Sequence, residues 1–265
     1  MVDVEKVFSV KGFYSAFRFD WDFDFIFSGE RHDFWEIVFV DSGKVEVTEG
    51  ENVYLLSPGD VILHAPMEFH SIRSAGGTSP TGYVITFEVK GELPSELKNG
   101  IFTLSDTDKE EYIRVCRKTI NYHALESCPS IYQGQEVGSL WETFLIKLAK
   151  NTSCAKIFSG SGVPDYKKLV SEMLLHVCDN YTLSDFAATC NMSVSNIKHL
   201  FNRYANVSPK FYYDQLRADH AAELLLTGMT VAEVSEKMNF SSAGYFTVFF
   251  KRYYGKKPLQ YQKNN

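Results

Sequence analysis

Two cationic tracts near the end of the chain, FNRY (201–204) and FKRYYGKK (250–257), carry the residue types that meet phosphates. Lysine and arginine side chains neutralise a nucleic-acid backbone and release its counterions, whatever the base sequence. The tracts occupy equivalent places in an internal near-duplication. LSDFAATCNMS (183–193) precedes VAEVSEKMNFS (231–241) by 48 residues. Beyond the turn the spacing becomes 49, so that Ile197 matches Phe246, Phe201 matches Phe250, Arg203 matches Arg252, Pro209 matches Pro258 and Tyr212 matches Tyr261.

Each copy opens on a capping-box pattern, Thr182 with Asp185 and Thr230 with Glu233. Ala187 and Ser235 are small residues on the helix face that must approach a neighbour. A short turn follows, then a serine placed to N-cap a second helix, Ser193 or Ser241. Between the copies, Ser208-Pro209 starts a further helix and Gly228 can end it in the left-handed conformation. A short helix, a tight turn and a second amphipathic helix make a helix-turn-helix, whose second helix enters the major groove. An all-α bundle with a duplicated hairpin would use the same pattern. The cations at the ends of both second helices favour the DNA reading.

The elements ahead of the tail differ in period. Residues 8 to about 90 read as strands: FYSAFRF, FWEIVFV, KVEVTEG, NVYLLS, DVILHA and GYVITFEV, punctuated by SG, EG, PGD and GG. Such short strands favour an antiparallel sandwich or barrel. From 105 to about 150 the period becomes helical. Ile113, Cys116 and Ile120 share one face, as do Val137, Leu140, Trp141, Phe144 and Leu148. SGSGVP (159–164) reads as a flexible joint. The fold class expected is α+β in two domains: a barrel over 1–100 with a helical connector over 101–158, a linker over 159–164, and an all-α double helix-turn-helix over 165–265.

Net charge of -6 argues against a polyanionic partner until the chain is divided. Residues 160–265 hold 12 Lys+Arg against 9 Asp+Glu, a net of +3; the remaining 15 basic and 24 acidic residues leave -9 on residues 1–159. The five cysteines (Cys116, Cys128, Cys154, Cys178 and Cys190) are odd in number, with no CxxC pair, and fit a reduced cytoplasmic interior. No apolar run approaches ~18 residues, and MVDVEKVFSVKGF holds no cleavable apolar stretch, so neither a membrane span nor a signal peptide is expected.

Over 165–262 the chain resembles the DNA-binding domain of AraC/XylS-type transcription regulators. LSDFAATCNMS, IKHLFNRYANVSP, LRADHAAELLLTG and VAEVSEKMNFSSAGYFTVFFKRYYGKKPLQY carry the likeness. The resemblance implies two helix-turn-helix units joined by one long helix. By position, Ser195, Lys198, His199 and Asn202 of the first unit, and Ala243, Gly244, Tyr245 and Val248 of the second, would read bases. Arg203, Lys210, Lys251 and Arg252 are the phosphate candidates. Asn191, Asn239 and Asn206 stand where the family usually has glycine or its counterpart, and asparagine tolerates the left-handed conformation. The second reading helix offers few hydrogen-bonding groups, so the first unit is expected to supply most direct readout.

RHDFWEIVFVDSGKVEV with LLSPGDVILHAPMEFHSI resembles the cupin barrel. His32, Glu36 and Gly43 follow its first motif; Pro58-Gly59 and His70 approximate the second. In metal-binding cupins three histidines and a glutamate converge, and Glu30 takes the place of the first histidine here. His32, Glu36 and His70 would leave a two-histidine, one-carboxylate face for Fe(II) or another divalent ion. Strand alternation would put 30, 32, 34 and 36 on one face. Sensor barrels of this regulator family usually bind a metabolite without metal, so the resemblance implies no metal cofactor. It implies a small-molecule effector in a pocket lined from His32, Phe34, Glu36, His70, Tyr83 and Phe87. It also implies a homodimer paired through the connector, with RNA polymerase as a further partner. The function expected is an effector-controlled, one-component transcription regulator rather than an enzyme. The alternative is a metal-dependent cupin enzyme with a helical tail for assembly.

Overall fold

A computed structural model of the chain describes residues 5–98, 100–125, 130–150 and 160–264. It divides into two compact units, 1–159 and 160–265. Cys128, Cys154 and the connector residues 151–158 lie outside the described residues.

The first unit is antiparallel. β1 (Phe8–Asp20), β8 (Thr81–Gly91), β3 (Trp35–Ser42), β6 (Asp60–His64) and β9 (Ile101–Thr103) form one sheet in that order. β2 (Ile26–Glu30), β7 (His70–Ser74), β4 (Val45–Glu49) and β5 (Asn52–Leu56) form the other. Every strand run read from the sequence overlaps a strand, with the end residues Phe34, Lys44, Gly50, Ser57 and Ala65 falling just outside. β2, β7 and β9 fall outside those runs, being short segments whose pattern is weak without their partners. Ile101–Thr103 pairs with Asp60–Ile62, so the sheet extends past residue 100 into the segment expected to be connector. Gly43 turns the chain from β3 to β4 at φ +71°, where a Cβ would sit 2.7 Å from Pro80 Cα.

Alternation divides the residues of the larger sheet between two cores. Val38, Val40, Ile62 and Val84 meet Val45, Val47, Leu56 and Ile72 of the second sheet between the two layers. Trp35, Ile37, Phe39, Tyr83, Ile85 and Phe87 face the other way, onto α1 (Asp106–His123) and α2 (Ile131–Ala149). Ser105 caps α1, and Ser130 with Gln133 forms a capping box on α2. Tyr112, Val115, Cys116 and Thr119 of α1 are buried, and so are Val137, Trp141, Phe144 and Leu148 of α2. Trp141 Nε1 donates to Thr119 Oγ1 at 2.8 Å, which satisfies a buried indole. The apolar faces of both helices are therefore spent on the sheet.

The second unit is helical: α3 (Val163–Leu175), α4 (Leu183–Cys190), α5 (Val194–Tyr204), α6 (Pro209–Leu226), α7 (Val231–Lys237), α8 (Ala243–Tyr254) and α9 (Pro258–Asn264). Residue 159 of the joint expected over 159–164 lies outside the described residues, and at its other end Gly162 already caps α3 and Pro164 lies in the first turn. α6 begins at the Ser208 cap, which accepts from Phe211 N at 3.1 Å, and Gly228 follows it at φ +92°. Ala221, Ala222 and Leu225 of α6 pack on Val234, Met238, Phe246 and Phe250. No helix among the described residues is long and apolar enough to cross a membrane.

Candidate nucleic-acid interface and effector cavity

The two copies in the tail fold alike. Thr182 and Asp185 form a reciprocal capping box on α4, and Thr230 and Glu233 form one on α7. In each exposed box the hydrogen bonds to the threonine hold the acid below the usual carboxylate range. Ala187 and Ser235 are buried where their helices pack. Each short helix then ends through an asparagine at positive φ, Asn191 at +57° and Asn239 at +55°. Met192 N donates to Ala187 O at 2.8 Å, and Phe240 N to Ser235 O at 2.9 Å, the same six-to-one closure twice. The turns then differ by one residue. Ser193 caps α5, but Ser242 rather than Ser241 caps α8, accepting from Tyr245 N at 3.1 Å. The extra residue in the second turn produces the change of spacing from 48 to 49.

On α5, Ile197, Leu200, Phe201 and Tyr204 are buried, leaving Ser195, Lys198, His199 and Asn202 on one exposed stripe. On α8, Phe246 and Phe250 are buried. Ala243, Gly244, Tyr245 and Val248 are exposed, and the same stripe continues into Lys251 and Arg252. All eight base-reading candidates therefore lie on solvent-facing surface. The phosphate candidates divide. Lys251 and Arg252 are exposed, whereas Lys210 Nζ lies 2.9 Å from both carboxylate oxygens of Asp214. Arg203 lies over the Tyr204 ring at 4.8 Å. An intramolecular carboxylate cancels part of the charge that Lys210 would offer a polyanion.

In the first unit a cavity of about 270 Å3 opens between the sheets. Phe17, Trp21, Phe27, Phe34, Ile72 and Val84 give it an apolar wall; Ser15, Glu30, Glu36 and Thr86 add polar atoms. Phe34 and Glu36 are where expected. His32 and His70 do not line it, and neither do Tyr83 and Phe87, which sit in the core beneath the helices, with Phe87 stacked 5.9 Å from Trp141. Their strand neighbours Val84 and Thr86 face the cavity instead. Tracing β8 one residue out of phase reverses which face each side chain occupies.

Polar residues gather at one end of the space between the sheets. Strand pairing sets Glu36 opposite His64 and Thr86, and His70 opposite Glu30 and Glu49. The residues from 30 to 36 do not form one strand. Glu30 ends β2, Glu36 lies in β3, and 31–34 connect them, so pairing across strands produces the convergence. His32 Nε2 lies 3.8 Å from Glu36 Oε2, while His70 Nε2 lies 3.4 Å from Glu36 Oε1 and 3.9 Å from Glu30 Oε1. Burial pushes Glu36 up, yet the surrounding His70, His64 and His32 rings outweigh it and hold the carboxyl below its usual value. Burial works against a charged His70, but Glu36 beside it prevails and raises that ring. Burial lowers His32 despite Glu36, and drives the fully enclosed His64 well down. Behind this group, burial raises Glu49 to about 7. His64 and Glu49 escaped the sequence reading because their strand partners, not their spacing, bring them here.

The family described as an AraC-like ligand binding domain matches residues 14–97, and a helix-turn-helix domain family matches 186–264. YfiF of Bacillus subtilis (strain 168), an uncharacterized HTH-type transcriptional regulator, is 26% identical over 258 residues, covering 86% of this chain and 76% of its own. The transcriptional activator NphR of a Rhodococcus species is 27% identical over 242 residues, covering 86% and 70%. Among solved structures, ToxT from Vibrio cholerae aligns over 97% of this chain and 98% of its own at 16% identity and a TM-score of 0.39. With a match in each unit and regulators matched across both, the chain belongs to the AraC-type family of helix-turn-helix transcription regulators, DNA-binding proteins with an N-terminal ligand-binding domain.

Proposed function

We propose that α5 and α8 enter two major-groove segments of a promoter, and that a small molecule in the cavity between the sheets changes how strongly they do so. The twin exposed stripes, each behind the same capped helix and asparagine turn, carry this reading. Ser195, Lys198, His199 and Asn202 offer hydrogen-bonding groups to base edges. Tyr245 and Val248 offer apolar contact and shape. Lys251 and Arg252 bind phosphate, with Arg203 contributing and Lys210 secondary because Asp214 holds it.

Effector control requires the ligand to bind two global states with different affinity. The apolar wall with a few polar atoms suits a small organic molecule. The regulator acts in the cytoplasm, where promoters and free thiols are found, and contacts RNA polymerase when bound. Two copies pair through the outer faces of α1 and α2, where Ile131 and Tyr132 are strongly exposed. The relatives are regulators, which counts against a catalytic role for the barrel.

A salt-series titration of duplex DNA tests the first claim: affinity falls steeply as salt rises, with a slope set by the phosphates contacted. Binding that ignores salt overturns it. Sedimentation equilibrium tests the pairing, which a monomer at all concentrations contradicts.

A further inference from the structure

We propose that Glu30, His32, Glu36 and His70 bind a single first-row divalent transition-metal ion at the cavity mouth. The first ground is the state of the imidazole rings. His32 Nδ1 lies 2.8 Å from the carbonyl oxygen of Phe34, and His70 Nδ1 lies 3.2 Å from that of Glu68. A carbonyl can only accept, so each Nδ1 donates, and each ring when neutral presents its lone pair at Nε2. Both Nε2 atoms are buried without a hydrogen bond of good geometry, and the groups they face are the carboxylates of Glu36 and Glu30. Ring nitrogens anchored on one side through a backbone carbonyl and free on the other are the arrangement metal-ligating histidines adopt.

The second ground is dimension. Nitrogen and oxygen donors on such an ion stand about 2.1 Å from it, which separates neighbouring donors by about 3.4 Å in a tetrahedron and about 3.0 Å in an octahedron. An organic ammonium held by hydrogen bonds of about 2.9 Å would hold tetrahedrally placed acceptors about 4.7 Å apart. The separations here are 3.4, 3.8 and 3.9 Å, and the four ligand atoms all lie within 4.8 Å of one another. They match a metal ion more closely than an amine.

The third ground is support behind the donors. The His64 ring stacks on His70 at 4.1 Å and 5°, and His64 Nδ1 lies 2.9 Å from Glu49 Oε1. His70 is thereby fixed in orientation. Two imidazoles and two carboxylates with no thiolate suit ions such as Zn2+, Fe2+ or Co2+ rather than calcium. Glu30 and Glu36 also line the cavity, so the ion's open side faces that space.

The test uses the full chain, stripped with a chelator and then titrated with Co2+. The expected result is one equivalent bound, with visible bands of nitrogen–oxygen ligation and displacement by Zn2+. Glu30→Gln and His32→Ala should each weaken cobalt binding at least tenfold, with circular dichroism confirming the fold. Glu30 is 44% exposed in its side chain, so Glu30→Gln decides if His32→Ala unfolds. No uptake, a thiolate charge-transfer band, or undiminished binding in Glu30→Gln overturns the assignment. Duplex binding by the stripped chain is measured alongside, and its loss would strike the regulator reading rather than the metal site.

Discussion

Asn191 and Asn239 stand 48 residues apart and share one left-handed backbone conformation, at φ +57° and +55°. Each ends the first helix of its unit and aims the chain at the second. The pair fixes how α5 and α8 leave their supports.

Replacing either asparagine with alanine should cost up to about 1 kcal/mol, because alanine keeps the Cβ but loses the short polar side chain whose local hydrogen bonding eases the left-handed conformation. Glycine should match the parent's stability or exceed it, because it enters the region freely. Thermal melts of the four single variants check this. Alanine and glycine variants that melt together would show that the turns carry no such requirement.

The phase of β8 gives a second prediction. Phe87→Ala should destabilise the chain by about 3–5 kcal/mol, as a large cavity beneath α2 would. It should leave effector affinity of the folded fraction little changed. Val84→Phe should instead fill the cavity, at about 1–3 kcal/mol of overpacking. With an effector at ~100 times its Kd, the parent should gain about 2.7 kcal/mol in a thermal-shift series. Val84→Phe should lose that gain and Phe87→Ala should keep it. The reverse outcome would return Phe87 to the pocket.

These cases show where sequence reading succeeds and where it stops. The tail was readable in detail because its determinants are local: caps three residues apart, a turn asparagine, and a stripe at helical spacing. The one local error, Ser241 for Ser242, came from placing the extra turn residue beyond the cap instead of before it. The barrel was readable as strands but not in phase. Tyr83 and Phe87 are large and apolar enough to suit either face of β8, and only the helices on one side decide between them. Only the pairing of β2 with β7, which spacing does not disclose, brings Glu30 opposite His70. Lys210 looked free until α6 set Asp214 one turn away.

Lys198 and Lys251 should differ in kind. Lys198→Ala should shift base preference at one position of the site, by about 1–3 kcal/mol of discrimination. Lys251→Ala should weaken all sequences alike and reduce the salt slope by about 1. Selection on randomised duplexes with each variant separates the two. A change of preference larger for Lys251→Ala would contradict this division of labour.

Lys210 and Arg252 offer a parallel contrast. Arg252→Ala should lower the salt slope by about 0.9, the effect of one lost phosphate contact. Lys210→Ala should lower it by less, because Asp214 already balances that ammonium. Equal losses would mean that the Lys210–Asp214 pair opens on the duplex.

The most direct measurement is guanine-methylation interference on a selected duplex, with the parent, Asn202→Ala and Tyr245→Ala. The account predicts two clusters of major-groove interference about 10–10.5 base pairs apart. Asn202→Ala should erase one cluster and Tyr245→Ala should weaken the other. A single cluster, or two that both variants leave intact, would contradict the claim that α5 and α8 each read a groove.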